Sequence, residues 1–278
     1  MDEQGHIDTR TSVYAVIGNP VSHSLSPVMH NRAFRHAGIN AVYLALKVED
    51  LASAISGMRS LGFQGASVTI PHKVEVLKYL DGLDEMAEKI GAVNTIVNRE
   101  GRFVGFNSDY LGAVKALSLK TDIKDKQVAI IGAGGAARAI GFGIAMEKGK
   151  ISIFNSSALK GKKLADAIGA TCYPLAEFHN RRYDILINTT PVGMVPNVWE
   201  MPVPVREIIP GTVIMDIVYN PLKTRLLKEA ERKNCKTVDG LSMFVYQGAH
   251  QFELWTGREA PVDLMKQAVF DALTNGSY

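Results

Sequence analysis

Cysteine is nearly absent from this chain, with only Cys172 and Cys235 among 278 residues. The two are isolated and form no C-x-x-C pair, which excludes a disulfide-stapled scaffold and the usual zinc spacings. Reduced thiols in a cytosolic protein are expected, with no metal. No apolar run approaches the roughly 20 residues that span a bilayer, which excludes a helical membrane protein. The opening MDEQGHIDTR is polar and acidic, so no secretory leader is predicted, and a cytoplasmic location is expected. A block of one charge sign is missing as well. Lys and Arg total 31 against 28 Asp and Glu, interspersed to a net +3, so neither a nucleic-acid nor a membrane partner is expected. Repeats and low-complexity tracts are also lacking.

What remains is a chain with 46% hydrophobic residues, enough for a real core in one large domain or two ordinary ones. Its first hundred residues alternate strand and helix patterns. YAVIGNP reads as a strand, followed by a helix from Ser26 to Ala37, with Ser26 as N-cap, Pro27 in the first turn and Gly38 as the stop. AVYLALKV, GASVTIP and the helix EDLASAISGMRSLG continue the alternation, and another helix is predicted from His72 to about Leu80. AVNTIVNREGRFVGFN reads as two strands joined by a tight turn at Arg99–Arg102. A polar seam at Thr121–Lys126 precedes a regular strand, glycine loop and helix pattern, which builds a parallel sheet covered by helices. Helices are predicted from Leu241 to about Trp255 and from Val262 to about Leu273. Periodicity alone leaves open which sheet they cover.

The glycine loop carries the first functional signal. Gly132, Ala133, Gly134, Gly135 and Ala136, with Ala137 at the third small position, fit G-x-G-x-x-[GA] between a strand and a helix. Gly132 permits the tight turn, Gly134 admits a pyrophosphate, and Ala137 keeps the helix close to the sheet. A plain tight turn would use the same residues. In NAD-binding units an acid about 20 residues after the loop accepts the ribose 2′-hydroxyl. Here the next strand ends in Asn155-Ser156-Ser157, with Lys160, Lys162 and Lys163 following. Missing carboxylate and nearby ammonium groups favour a 2′-phosphate, hence NADP over NAD, unless these lysines merely solvate a helix face.

The second signal is SVTIPHK, which places Thr69 and Lys73 at the end of a strand, where open α/β sheets hold ligands. Lys73 in the first turn of a helix opposes the dipole, and such a local mismatch points to function. Asn94 lies in the predicted hairpin, and Asn107, Ser108 and Asp109 follow it, where they also suit helix capping. His23 and His72 read as loop or structural groups.

Taken together, GNPVSHSLSPVMHN, GASVTIPHK, GAVNTIV, GFNSDYLG, GAGGAARA, NTTPVGM, DIVYNPLKT and DGLSMFVYQGAHQFELWTG resemble the shikimate dehydrogenase family almost end to end. The resemblance implies a two-domain α/β enzyme. An N-terminal α/β substrate domain (1–110) would be completed by C-terminal helices (241–278), around a Rossmann-type dinucleotide-binding domain (111–240). It implies an oxidoreductase that interconverts 3-dehydroshikimate and shikimate with NADP, in aromatic amino-acid biosynthesis. Lys73 and Asp109 match the catalytic pair. Ser22, Ser24, Thr69, Asn94, Tyr219 and Gln247 match substrate-holding groups. Gly132 to Ala136 match the pyrophosphate loop, Asn155, Ser156 and Lys160 the adenosine-phosphate segment, and Ile217 and Gly240 positions near the nicotinamide. Ser22 and Ser24, two apart on an extended connection, would face the same way and grip one carboxylate. Ketone reduction needs a hydride on carbon and a proton on oxygen, and an ammonium supplies the latter while stabilising the alkoxide. A neighbouring carboxylate would orient that ammonium, and the two titrate as a unit.

A quinate dehydrogenase using NAD or NADP, and a non-catalytic ligand sensor, are the rival expectations, and a monomer or a homodimer fits either. Many relatives carry Arg where this chain has Ser156, which removes a guanidinium from the 2′-phosphate. Ser156→Arg is expected to raise the preference for NADP over NAD by about ten- to a hundredfold, since a charge-assisted contact contributes roughly 1.5–3 kcal/mol. The ratio of kcat/KM values with the two cofactors measures it.

Overall fold

Strands joined through crossover helices pair in parallel, and this chain arranges such pairing twice. A computed structural model describes residues 7–179 and 181–275. They form two units, one made of residues up to Ser108 together with those from Gln247 on, the other of Asp109–Tyr246.

In the first unit, β1 (Ser12–Gly18), α1 (Ser26–His36), β2 (Ala41–Lys47), α2 (Leu51–Ser60) and β3 (Gly65–Val68) come first. They are followed by β4 (Gly82–Leu83), α3 (Glu85–Ile90), β5 (Thr95–Arg99) and β6 (Arg102–Phe106). The sheet order is β2-β1-β3-β5-β6-β4. β1 pairs in parallel with both β2 and β3, so its interior is covered on both faces and reads as unbroken apolar sequence. The hairpin β5–β6 is antiparallel, with Arg99 opposite Arg102. Its turn uses Glu100 and Gly101 at φ 55° and 86°, and the Asn98 side chain accepts the Gly101 amide. α2 buries Leu51, Ile55 and Met58 along one face, and the Asp50 side chain caps its first turn.

Three local expectations change. Ser26 is the first helical residue rather than the N-cap, because the Met29 amide bonds the Leu25 carbonyl one position earlier. The Ser26 hydroxyl lies instead against Ser24 Oγ at 3.2 Å. No α-helix starts at His72; turns lead into a 3₁₀ stretch at Glu75–Tyr79. The Lys73 carbonyl accepts the Val93 amide at 2.8 Å, which draws it out of an i to i+4 ladder. Asn94 precedes β5 rather than lying in it.

The second unit contains α4 (Asp109–Ser118), β7 (Gln127–Ile131), α5 (Gly135–Met146), β8 (Lys150–Asn155), α6 (Ala158–Ile168) and β9 (Thr171–Pro174). It continues with β10 (Ile185–Asn188), β11 (Val213–Asp216), α7 (Arg225–Arg232) and β12 (Lys236–Val238). All its strand pairs are parallel, in the order β12-β11-β10-β7-β8-β9. The connection order reverses at β7, and the glycine loop follows that strand. The outer strands β9 and β12 were not predicted; they are three or four residues long, lie at the sheet edges and are partly exposed. α8 (Gly240–Thr256) gives its residues up to Tyr246 to this unit and the rest to the first, where α9 (Val262–Asn275) also belongs. No helix among the described residues is long and apolar enough to cross a membrane.

A Cβ at Gly65 would lie 2.4 Å from Trp255 Nε1 and 2.7 Å from the Ile96 carbonyl, which are themselves hydrogen-bonded at 2.9 Å. Gly65→Ala is expected to destabilise the protein by about 1–3 kcal/mol, seen as a fall of several degrees in Tm.

Candidate active site

The sequence-predicted residues divide between the units. Ser22, Ser24, Thr69, Lys73, Asn94 and Gln247 belong to the first, and Asp109, Tyr219 and the nucleotide-loop residues to the second.

In the first unit a buried polar network surrounds Asn94, which is 2% exposed. Asn94 Nδ2 donates to Ser108 Oγ at 2.9 Å and to Gln247 Oε1 at 3.4 Å, while its Oδ1 accepts the Ser108 amide and the Thr95 hydroxyl, each at 2.7 Å. Gln251 extends the network, donating to Thr95 Oγ1 at 3.0 Å and accepting from Ser67 Oγ at 2.8 Å. The Tyr43 hydroxyl donates to Ser67 Oγ at 2.6 Å, and burial pushes that phenol up, so it stays a neutral donor. Thr69 follows β3 directly, and its amide bonds the Ile17 carbonyl. Gly18 lets the chains meet there, since a Cβ would lie 2.3 Å from Thr69 Cγ2. Lys73 is half-buried in the next turn, and its carbonyl accepts the amide of Val93, the residue before Asn94.

The serine motif differs from expectation. Ser22 and His23 sit in a turn closed by the Ser24 amide on the Val21 carbonyl at 3.0 Å, so the segment is not extended and the same-side argument fails. Ser22 is exposed; Ser24 is half-buried and bonds the Ser26 amide. His72 is structural, with Nε2 at 3.0 Å from the Val48 carbonyl. His30, in the same motif as the serines, is fully buried, stacked on Tyr43 at 4.6 Å and edge-on to Trp255. Burial pushes it down to about 3, so it is a neutral core ring.

In the second unit Asp109 is buried as the first residue of α4, where its charge meets the positive end of the helix dipole. Gly132 takes φ 111° and approaches Thr189 so closely that a Cβ would lie 2.5 Å from its hydroxyl. Gly134 is the N-cap of α5 with open space where a side chain would stand, and no side chain caps that helix. Amides of the first turn are therefore left for an anion, which fits a dinucleotide's pyrophosphate. β8 ends at Asn155, whose side chain bonds the Ser157 carbonyl. Ser156 and Lys160 are exposed, whereas Lys162 is drawn to Asp166 at 3.0 Å. Gly240 packs on the backbone of Ile217 and Val218, with only 2.5 Å left for a Cβ. Tyr219 stacks on Phe244 at 4.6 Å. Among the described residues no cluster of three His, Cys, Asp or Glu side chains is placed to hold a metal.

Comparison with known proteins decides the family. Residues 16–96 match the model of the shikimate dehydrogenase substrate binding domain, and 240–270 that of the shikimate 5′-dehydrogenase C-terminal domain. The shikimate dehydrogenase (NADP(+)) of Thermococcus kodakarensis is 47% identical over 273 residues, spanning 96% of this chain and 99% of the relative. The chain belongs to the shikimate dehydrogenase family. A solved shikimate dehydrogenase in complex with NADP+ superposes with TM-score 0.93 at 43% identity, covering 99% of this chain and 100% of that one. The Thermus thermophilus shikimate 5-dehydrogenase in complex with NADP(H) and shikimate gives 0.89 at 35% identity, covering 95% and 100%. The two-domain α/β fold expected from the sequence is the fold of these family members.

Sequence reading missed Gln251, Thr95, Ser67 and Tyr43, and in the second unit it missed Asp216. Only the four-residue spacing of Gln247 and Gln251 on one helix face marked them in advance. Asp216 is fully buried at the end of β11. Its carboxylate accepts Asn188 Nδ2 at 2.9 Å, the Val218 amide at 3.1 Å and the Thr224 hydroxyl at 2.7 Å. It thereby ties β10 to the turn that carries Ile217 and Tyr219 in this shikimate dehydrogenase family chain. Burial outweighs those bonds and pushes the carboxyl up to about 6, from an ordinary 3.8. Between those two values the folded state holds a proton that the unfolded state has lost, so stability falls as pH rises through that window. Relative to wild type, Asp216→Asn is expected to gain about 1 kcal/mol between pH 5 and 7. Urea unfolding of both proteins at the two pH values measures it.

Proposed function

We propose that this chain is an NADP-dependent oxidoreductase that interconverts 3-dehydroshikimate and shikimate for aromatic amino-acid biosynthesis, acting in the cytoplasm as a monomer or homodimer. The observation that carries the reading is family membership along nearly the whole chain, and the motifs GASVTIPHK and GFNSDYLG supply Lys73 and Asp109 as its catalytic pair. When bound, NADPH supplies the hydride. Gly132 to Ala136 receive the pyrophosphate, Asn155, Ser156 and Lys160 face the adenosine phosphate, and Ile217 and Gly240 line the nicotinamide end.

The family motifs, rather than a shared orientation of the two serines, assign Ser22 and Ser24 to the substrate carboxylate and Thr69, Asn94, Tyr219 and Gln247 to its hydroxyls. Lys73 places an ammonium by the carbonyl oxygen, stabilises the alkoxide as hydride arrives at carbon, and delivers a proton to that oxygen. Asp109 is the carboxylate that the family motif assigns as partner to that lysine. In the reverse direction the pair takes the proton from the hydroxyl.

Quinate oxidation with NAD or NADP is the second reading, and the exposed Ser156 in place of a phosphate-gripping arginine bears on its cofactor by relaxing the demand for NADP. kcat/KM values on shikimate and quinate with each cofactor separate the two readings, and a higher value for quinate would replace the first. Lys73→Ala is expected to lower kcat by about 10²–10⁴ while changing shikimate KM far less, followed by absorbance at the nicotinamide band. An unchanged kcat removes the lysine from the mechanism.

A further inference from the structure

The second unit carries another basic site, at the end of the sheet opposite its glycine loop. Gln127, Lys150 and Thr171 are the first residues of the parallel strands β7, β8 and β9, and they border a cavity of about 610 Å³. Arg181, Arg182, Tyr173 and Tyr183 complete its wall with Ser152, and among the described residues no carboxylate lines it. Two acids close to the wall in sequence have partners of their own. Asp184 takes the Gln127 amide at 2.8 Å and lies 4.0 Å from Lys126, and Asp166 is held by Lys162. Three cationic side chains thus share one concavity with no described acid in its wall.

Arg181 is also set in position. Its guanidinium carbon lies 3.7 Å above the centre of the Tyr173 ring, and the Tyr183 hydroxyl interacts with it and with Ser152. Stacking on an aromatic face fixes the guanidinium plane and leaves its edge donors directed away from the ring. Tyr183 is itself wedged against Phe178 and Phe154. Two arginines and a lysine match the charge of a dianion, and a planar guanidinium suits bidentate contact with phosphate. A phosphate group alone would fill little of the cavity. The rest of the wall offers the hydroxyls of Thr171 and Tyr173 and the side-chain amide of Gln127, which calls for a polar body rather than an apolar one.

We propose that this cavity is a second anion site that binds a small, polar phosphate monoester of the sugar-phosphate kind. β8 runs from the cavity at Lys150 to the cofactor segment at Asn155. Five residue steps at about 3.3 Å place the two some 16 Å apart along the strand, so one small ligand cannot occupy both.

The test is calorimetric titration of the intact protein with ribose 5-phosphate, inorganic phosphate and ribose, each with and without saturating NADP. Saturable one-to-one binding of ribose 5-phosphate that persists in NADP is expected, with weaker binding of inorganic phosphate and none of ribose. The double variant Arg181→Gln/Arg182→Gln is expected to lose at least tenfold in affinity at an unchanged Tm. Tyr173→Leu, which removes only the ring behind Arg181, is expected to weaken binding by a smaller factor. Displacement of ribose 5-phosphate by NADP would assign the anion to the glycine loop and overturn the proposal. Undiminished affinity in the double variant, or no saturable binding at all, would overturn it equally.

Discussion

The side-chain amide of Gln251 couples α8 to the first sheet. It is 1% exposed, donates to the Asn94 carbonyl and to Thr95 Oγ1, and accepts from Ser67. A buried amide with an unmet donor or acceptor costs roughly 1–3 kcal/mol, so these bonds select one rotation and one height for the helix. Gln247 and Trp255 lie one turn to either side on the same face. Gln247 meets Asn94, and Trp255 Nε1 donates to the Ile96 carbonyl, so three successive turns are matched to three successive residues at the start of β5. The amide orientation of Asn94, and with it the polar wall of the candidate site, depends on that match.

The second unit solves a related problem differently. Parallel strands leave polar groups at their carboxyl ends, which open α/β sheets use for ligands. At β7 this end is a glycine turn with room for an anion; at β10 and β11 it is closed by Asn188 and Asp216 bonding each other and the following turns. The same edge therefore combines an open half for a nucleotide with a half made rigid by a buried carboxylate. The opposite end gathers Lys150, Arg181 and Arg182, and the middle of the sheet is apolar.

Elements defined by local chemistry were legible in the sequence. α6 runs from Ala158 to Ile168 because two local signals bound it: Ser157 caps its start and Gly169 takes the left-handed conformation at its end. The hairpin turn at Glu100-Gly101 was legible for the same reason, since its residues alone dictate the reversal. Where local signals competed with distant partners, the reading failed. Ser26 looks like a cap, but Ser24 engages its hydroxyl; Lys73 looks helical, but Val93, twenty residues on, claims its carbonyl. The motifs that mark the candidate site stand in the sequence as words, whereas the bonds that orient them do not. Ser67 and Gln251 are 184 positions apart, and no periodicity links them.

That separation has a consequence for the chain as it is made. The second unit is one continuous stretch, Asp109–Tyr246, and its sheet can close as soon as that stretch has left the ribosome. The first unit is begun first and finished last. Its strands emerge early, yet Ser67, Asn94, Thr95 and the Ile96 carbonyl wait for partners 156 to 184 positions downstream or 153 for Gln247. Throughout synthesis of the intervening unit, this sheet stands with its polar seam wet and the face for its last helix uncovered. Domains generally fold in the order they appear, and long-range closure is slow. Here the order is inverted, and the half that carries Lys73 becomes a finished surface only when the residues from Gln247 on arrive.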